Sequence, residues 1–127
     1  MIGATRALSV FAFTEPVDMR KSFNTLAAIV EEEMKRSVLT GDMFVFVGRN
    51  RKRAKVLYFD GTGMCLFAKR LEKGHFAPVW NRKGAGGLEL TPSELLLFIE
   101  GSEAVGRLAM SPPLLTKADM QSRMSAE

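Results

Sequence analysis

Three apolar runs, residues 43–47, 54–59 and 64–71, follow one another with only residues 48–53 and 60–63 between them. Connectors that short cannot hold a crossover helix, so strands joined by them run antiparallel. Asp60-Gly61 is also a turn dipeptide, with Gly63 close behind. The stretch therefore reads as an antiparallel meander. Within it, residues 43–47 are apolar at every position, which predicts a central strand or one covered by a partner.

The flanks add helices to this sheet. Residues 8–14 read as a further strand, closed by Glu15-Pro16, because proline disfavours helix at the residue before it. Asp18 fits the N-cap of a helix from residue 19 to about residue 36, since Met19, Phe23, Leu26, Ala27, Val30 and Met34 recur at helical spacing. Lys35 and Arg36 suit its C-terminus, where the carbonyl dipoles favour positive charge. Beyond the meander, residues 75–80 read as extended, 81–87 as a glycine-rich loop and 88–90 as a short strand. Thr91-Pro92-Ser93-Glu94 is a capping box with proline at the first helical position. The helix that it opens is apolar nearly all round through Ile99 and stops at Gly101. The expected fold is thus α+β, an antiparallel meander of about four to five strands with two packed helices. Residues 1–101 form the expected single domain, and 102–127, with Pro112-Pro113 and a short helix near 117–124, a flexible or partner-docking tail.

Composition narrows the chemistry. The chain has 127 residues, enough for one core, with 46% hydrophobic and 25% charged residues, which fits a folded domain. Cys65 and His75 are the sole cysteine and histidine, so a disulfide and the usual zinc ligand sets are out of reach, and no cofactor is expected. No run approaches the roughly 18–20 apolar residues of a membrane span, and the apolar start is too short for an export signal. A cytoplasmic protein without membrane contact is expected.

Charge points to a partner. Ten bases lie between residues 49 and 83: Arg49, Arg51, Lys52, Arg53, Lys55, Lys69, Arg70, Lys73, Arg82 and Lys83. Only Asp60 and Glu72 oppose them, whereas the rest of the chain carries more acids than bases. Such asymmetry suggests a polyanion, nucleic acid before an anionic membrane, against the plain alternative of a solvated basic surface. In a meander the 48–53 connector and the end of the third strand return to one rim, so four to six cations face one phosphate track. Arg20 and Lys21 are possible additions.

Catalytic readings are weaker. Gly61-Thr62-Gly63 and Gly84-Ala85-Gly86-Gly87 lack the helix N-terminus or the Lys-Ser/Thr that a phosphate loop requires. Glu31-Glu32-Glu33 point in different directions on a helix, and Asp18 and Asp60 abut turns, so no carboxylate cluster for two-metal chemistry emerges. Cys65 reads as a buried, inert strand thiol rather than a nucleophile paired with His75.

Several segments resemble a known family: Val17-Asp18-Met19-Arg20-Lys21-Ser22-Phe23, Met43-Phe44-Val45-Phe46 and Lys55-Val56-Leu57-Tyr58-Phe59-Asp60-Gly61-Thr62-Gly63. The match continues through Lys69-Arg70-Leu71-Glu72-Lys73-Gly74 and Leu90-Thr91-Pro92 to Glu100-Gly101. Together they are similar to the small accessory protein, labelled TnpB or Orf2, of the sixty-six family of bacterial insertion sequences. The resemblance implies a non-catalytic role in DNA transposition beside a larger transposase that carries the strand-transfer chemistry. Expected partners are DNA, in particular transposon ends, the co-encoded transposase, another accessory subunit and, in an oligomer, a second copy. Two functions remain open at this point: DNA binding through a basic β-rich face, or docking on the transposase with little DNA contact.

Overall fold

The computed structural model describes residues 8–80 and 87–101. A five-stranded mixed sheet runs in the order β4-β3-β2-β1-β5. Its strands are β1 (Val10–Ala12), β2 (Met43–Val47), β3 (Arg53–Phe59), β4 (Met64–Arg70) and β5 (Leu88–Leu90). The β2-β3-β4 part is the expected antiparallel meander, with Val47 opposite Ala54 and Arg53 opposite Arg70. Short connectors leave it no other geometry.

β1 departs from that pattern. It pairs parallel to β2, with Val10 opposite Met43, and antiparallel to β5 on its other side. The segment between β1 and β2 is long enough for a crossover, and it holds helix α1 (Phe23–Ala28). The α+β class stands, but the sheet is mixed rather than a pure meander.

β2 is the central strand, and its two faces feed two cores. Phe44 and Phe46 join Phe11, Phe13, Leu57, Leu26, Val30 and Met34 beneath α1. Val45 and Val47 join Val10, Ala12, Ala54, Val56, Phe76 and Phe98 on the opposite side, beneath helix α2 (Pro92–Glu100). The two helices therefore cover opposite faces. Each fully buried Phe or Val contributes about 1.5–3 kcal/mol, which is why a strand apolar at every position sits in the middle. Aromatic pairs align the layers: Phe11 stacks on Phe44 at 6.1 Å between centroids, and Phe76 on Phe98 at 5.2 Å.

The first helix is shorter than its periodicity suggests. Its N-cap is Ser22, not Asp18, and after Ala28 the chain widens into a π-helical turn over Ile29–Glu33. The Met34 amide donates to Ile29 O five residues back, which sets Ile29 and Met34 one above the other on the buried side. Lys35 closes the helix in the left-handed region (φ 58°), and the Arg36 guanidinium lies 3.5 Å from the Phe11 ring centroid. Residues 75–80 form no strand; Phe76 donates its amide to Arg51 O at 2.7 Å and its ring enters the α2-side core. The α2 helix has the full capping box, Thr91 and Glu94 exchanging side-chain to backbone bonds. It is not buried all round, because Leu96 is 71% exposed. The expectations for the 81–86 part of the loop and for 102–127 lie outside the described residues, as do Arg82 and Lys83.

Candidate nucleic-acid interface

The Asp18-Met19-Arg20-Lys21 segment is a turn whose four residues each have a separate task. The Lys21 amide donates to Asp18 O at 3.0 Å and closes it. The Asp18 carboxylate accepts the Arg20 amide at 2.9 Å and also the Arg20 guanidinium, Nε at 3.0 and 3.1 Å and Nη2 at 2.6 Å. These donors, the side chain first and then the amide, hold the Asp18 carboxyl well below the usual carboxylate range. The Arg20 side chain, 90% exposed, is thereby presented in a fixed orientation. Met19 packs where a Cβ on Gly48 would stand 2.8 Å from its Cγ, so glycine there lets the turn and the β2-β3 connector approach. Lys55 Nζ donates to Lys21 O at 2.6 Å and ties the turn to β3.

Between this turn and the meander lies an open trough built from two adjoining depressions. One, of about 440 Å³, is lined by Met19, Arg53, Lys55, Ala68, Arg70 and Glu72, and also by Ala54 and Lys69, whose Nζ is engaged at Ile99 O. The second, of about 480 Å³, is lined by Asp18, Met19, Arg20, Gly48, Arg49 and Arg53, among others. They share Met19 and Arg53. Arg53 and Arg70 are direct cross-strand partners, and Lys55, two residues along β3, points to the same face. Five cations from four segments, Arg20, Arg49, Arg53, Lys55 and Arg70, are thus brought together. Two carboxylates accompany them: Asp18, engaged by Arg20, and Glu72, which accepts one long bond of 3.4 Å from Arg70 Nε.

Three other described basic residues of this region have side-chain nitrogens bonded to backbone carbonyls, Lys69 among them although it too lines the first depression. Arg51, held at φ 58°, donates from Nη1 to Phe76 O at 3.1 Å. Lys52 Nζ donates to Gly74 O at 2.9 Å, and Lys69 Nζ to Ile99 O at 2.8 Å, where it caps the carbonyl end of α2. These three fasten the 74–76 loop and α2 across the α2 face of the sheet. Lys73 is exposed in the turn after β4, and Lys21 is half-buried. The acceptors of the bracing cations lie 22 to 30 residues away, so the local sequence does not show them. Strand alternation alone separates Arg53 from Ala54 and Arg70 from Lys69.

Asp60 and Cys65, weighed as catalytic residues in the sequence, have local partners. Asp60 Oδ1 accepts from Thr62 N, Thr62 Oγ1 and Gly63 N, so the amides that a phosphate loop would offer are occupied. Those donors pull the Asp60 carboxyl down to about 2. Cys65 is half-buried rather than fully buried, and burial together with the Asp60 carboxylate pushes its thiol up, away from the reactive thiolate. It sits at the start of β4, whereas His75 follows the end of that strand, so the two are not paired. Among the described residues no three His, Cys, Asp or Glu side chains are placed to hold a metal ion. Also among the described residues, no helix is long and apolar enough to cross a membrane.

Comparison with known proteins gives this architecture a place. The profile of the family described as IS66 Orf2 like protein matches residues 8–107. The uncharacterized protein y4hO of Sinorhizobium fredii is 38% identical over 101 residues, which cover 80% of this chain and 86% of that protein. The uncharacterized protein y4jC of the same organism is 37% identical over 101 residues, covering 80% and 85% respectively. No solved structure matches. The match takes in the Asp18 turn, the meander and both helices, and the chain belongs to the IS66 Orf2-like family, whose role is accessory to the transposition of an insertion sequence.

Proposed function

We propose that the chain assists transposition by binding DNA through the trough between the Asp18 turn and the β3-β4 hairpin, with no reaction of its own. The observation that carries this reading is Arg53 standing directly opposite Arg70, with Arg20, Arg49 and Lys55 lining the same trough. Like charges directly opposite on a sheet destabilise it, so such a pair is retained at a cost that an anionic partner would offset. Four exposed arginines on one rim supply planar donors suited to phosphate oxygens. Such a role belongs in the bacterial cytoplasm, where the DNA is.

The test is retention of an insertion-sequence end duplex across a salt series. Binding that is tight at low salt and falls steeply and linearly on a log–log plot is expected, because each neutralised phosphate releases counterions. A flat response, or no binding at low salt, contradicts the reading.

A second reading has one observation in its favour. Leu96 on α2 is 71% exposed and Phe67 on the edge strand β4 is 46% exposed, apolar surface that the described residues leave uncovered. It supports docking on the co-encoded transposase. The doubly apolar β2 no longer does, since both of its faces are covered within the chain. Pull-down of the transposase by the Leu96→Lys, Phe67→Lys variant separates the readings: lost capture with retained DNA binding assigns the two surfaces to two partners.

A further inference from the structure

We infer that the trough takes the phosphate backbone of double-stranded DNA in preference to single strands, through the trough-lining cations alone; this rests on the DNA-binding reading above. A track for single strands combines cations with aromatic platforms on which successive bases stack. Among the described residues no aromatic side chain lines either depression; Met19, Gly48, Ala54 and Ala68 stand between the cations. The exposed Phe67 is opposite Val56 and therefore on the α2 face of the sheet, and the exposed Phe23 is outside the lining.

The backbone that carries the array is pinned at several points. The positions of Arg53 and Arg70 along the strands are set by the β3-β4 register, Arg20 is clamped to Asp18, and the turn is tied down by Lys55 and by the Met19–Gly48 contact. Cations carried at set spacings suit a stiff polyanion whose charges are evenly spaced. Duplex DNA presents about one charge per 1.7 Å of axis, twice the density of one of its strands. A flexible single strand would have to be ordered on the array without stacking to offset that entropy.

The split between trough-lining and bracing cations has a measurable consequence. Engagement of the four exposed arginines, with Lys55 held by the Lys21 carbonyl, gives a log–log salt slope of about −4. Recruitment of all ten cations, the described part of the 49–83 set together with Arg20 and Lys21, gives about −9.

The experiment is fluorescence anisotropy on the full chain with a short random-sequence duplex, one of its strands and an oligo-dT, over a range of salt, and with poly-glutamate as competitor. Duplex binding at least about tenfold tighter than either single strand, with a slope near −4, is the expected result. Single-strand binding as tight as duplex binding overturns the inference and leaves the DNA-binding reading intact. A slope near −9 overturns the assignment of contacts to the trough. Binding to none of the three DNA probes overturns both. Displacement by poly-glutamate as readily as by duplex assigns the trough to an acidic polypeptide and overturns it as well. The Arg53→Gln, Arg70→Gln variant, verified as folded by circular dichroism, is expected to lower the slope by about 2; an unchanged slope contradicts the assignment.

Discussion

Arg53 and Arg70 are the pair on which the proposed DNA contact rests. Facing each other across β3 and β4, they repel. Replacing either by glutamine is expected to raise stability by about 0.2–1 kcal/mol in urea titration while weakening duplex binding. Opposite signs in the two assays mark a functional pair; losses in both mark a structural one. Asp60 carries a pH prediction. Its carboxyl is depressed from 3.8 to about 2, so unfolding takes up protons in that interval, and the stability it contributes is present above pH 4 and lost toward pH 2. Melting temperatures taken across that window should fall, and the Asp60→Asn protein should show a shallower acid limb; an unchanged limb would show that the turn bonds do not form. Position 87 is constrained by space and backbone alike: φ is +94°, and an added Cβ would lie 2.8 Å from Ala12 O. Gly87→Ala is expected to destabilise by more than 1 kcal/mol. At this level the sequence was informative about turns, because Asp60-Gly61 acts within its own neighbourhood. Asp18 misled for a related reason: a short carboxylate can cap a helix or clamp the next turn, and only the position of Arg20 decides.

Among the elements, those with complete local signals are the ones the sequence specified best. The β2-β3-β4 meander followed from connector length, and α2 from Thr91-Pro92-Ser93-Glu94. Thr91→Ala should cost about 1 kcal/mol, because it leaves the Glu94 amide without its partner. A denaturant midpoint unchanged by that substitution would contradict the cap. Two features were not legible. The parallel pairing of β1 depends on which strand the long α1 connector returns beside, and hydrophobic pattern is the same for either direction. The π-helical turn shifts each bond by one residue without disturbing the run of apolar positions, so Val30 and Met34 face inward either way.

For the whole molecule, the charge that is gathered along the chain is divided by the fold. Ten bases in thirty-five positions read as one surface. In the fold, Arg49, Arg53, Lys55 and Arg70 join Arg20 at the trough, while Arg51, Lys52 and Lys69 hold backbone carbonyls on the other side. Alternation along β3 and β4 could have foretold part of this, but the long-range acceptors could not be read from sequence. The same Asp18 turn and Gly48 that lie within the family match shape the trough, so its floor and its cations are built by one set of contacts.

The most direct test compares two charge-matched triple variants for affinity toward the same duplex. Arg49→Gln, Arg53→Gln, Arg70→Gln strips the trough; Lys52→Gln, Lys69→Gln, Lys73→Gln removes the same charge from the opposite face and the turn. The first should lose nearly all binding while it melts no lower than the unaltered protein. The second should keep most of its affinity and melt at a lower temperature. Equal losses of affinity, or the greater loss in the lysine set, would contradict convergence of the arginines as the basis of recognition.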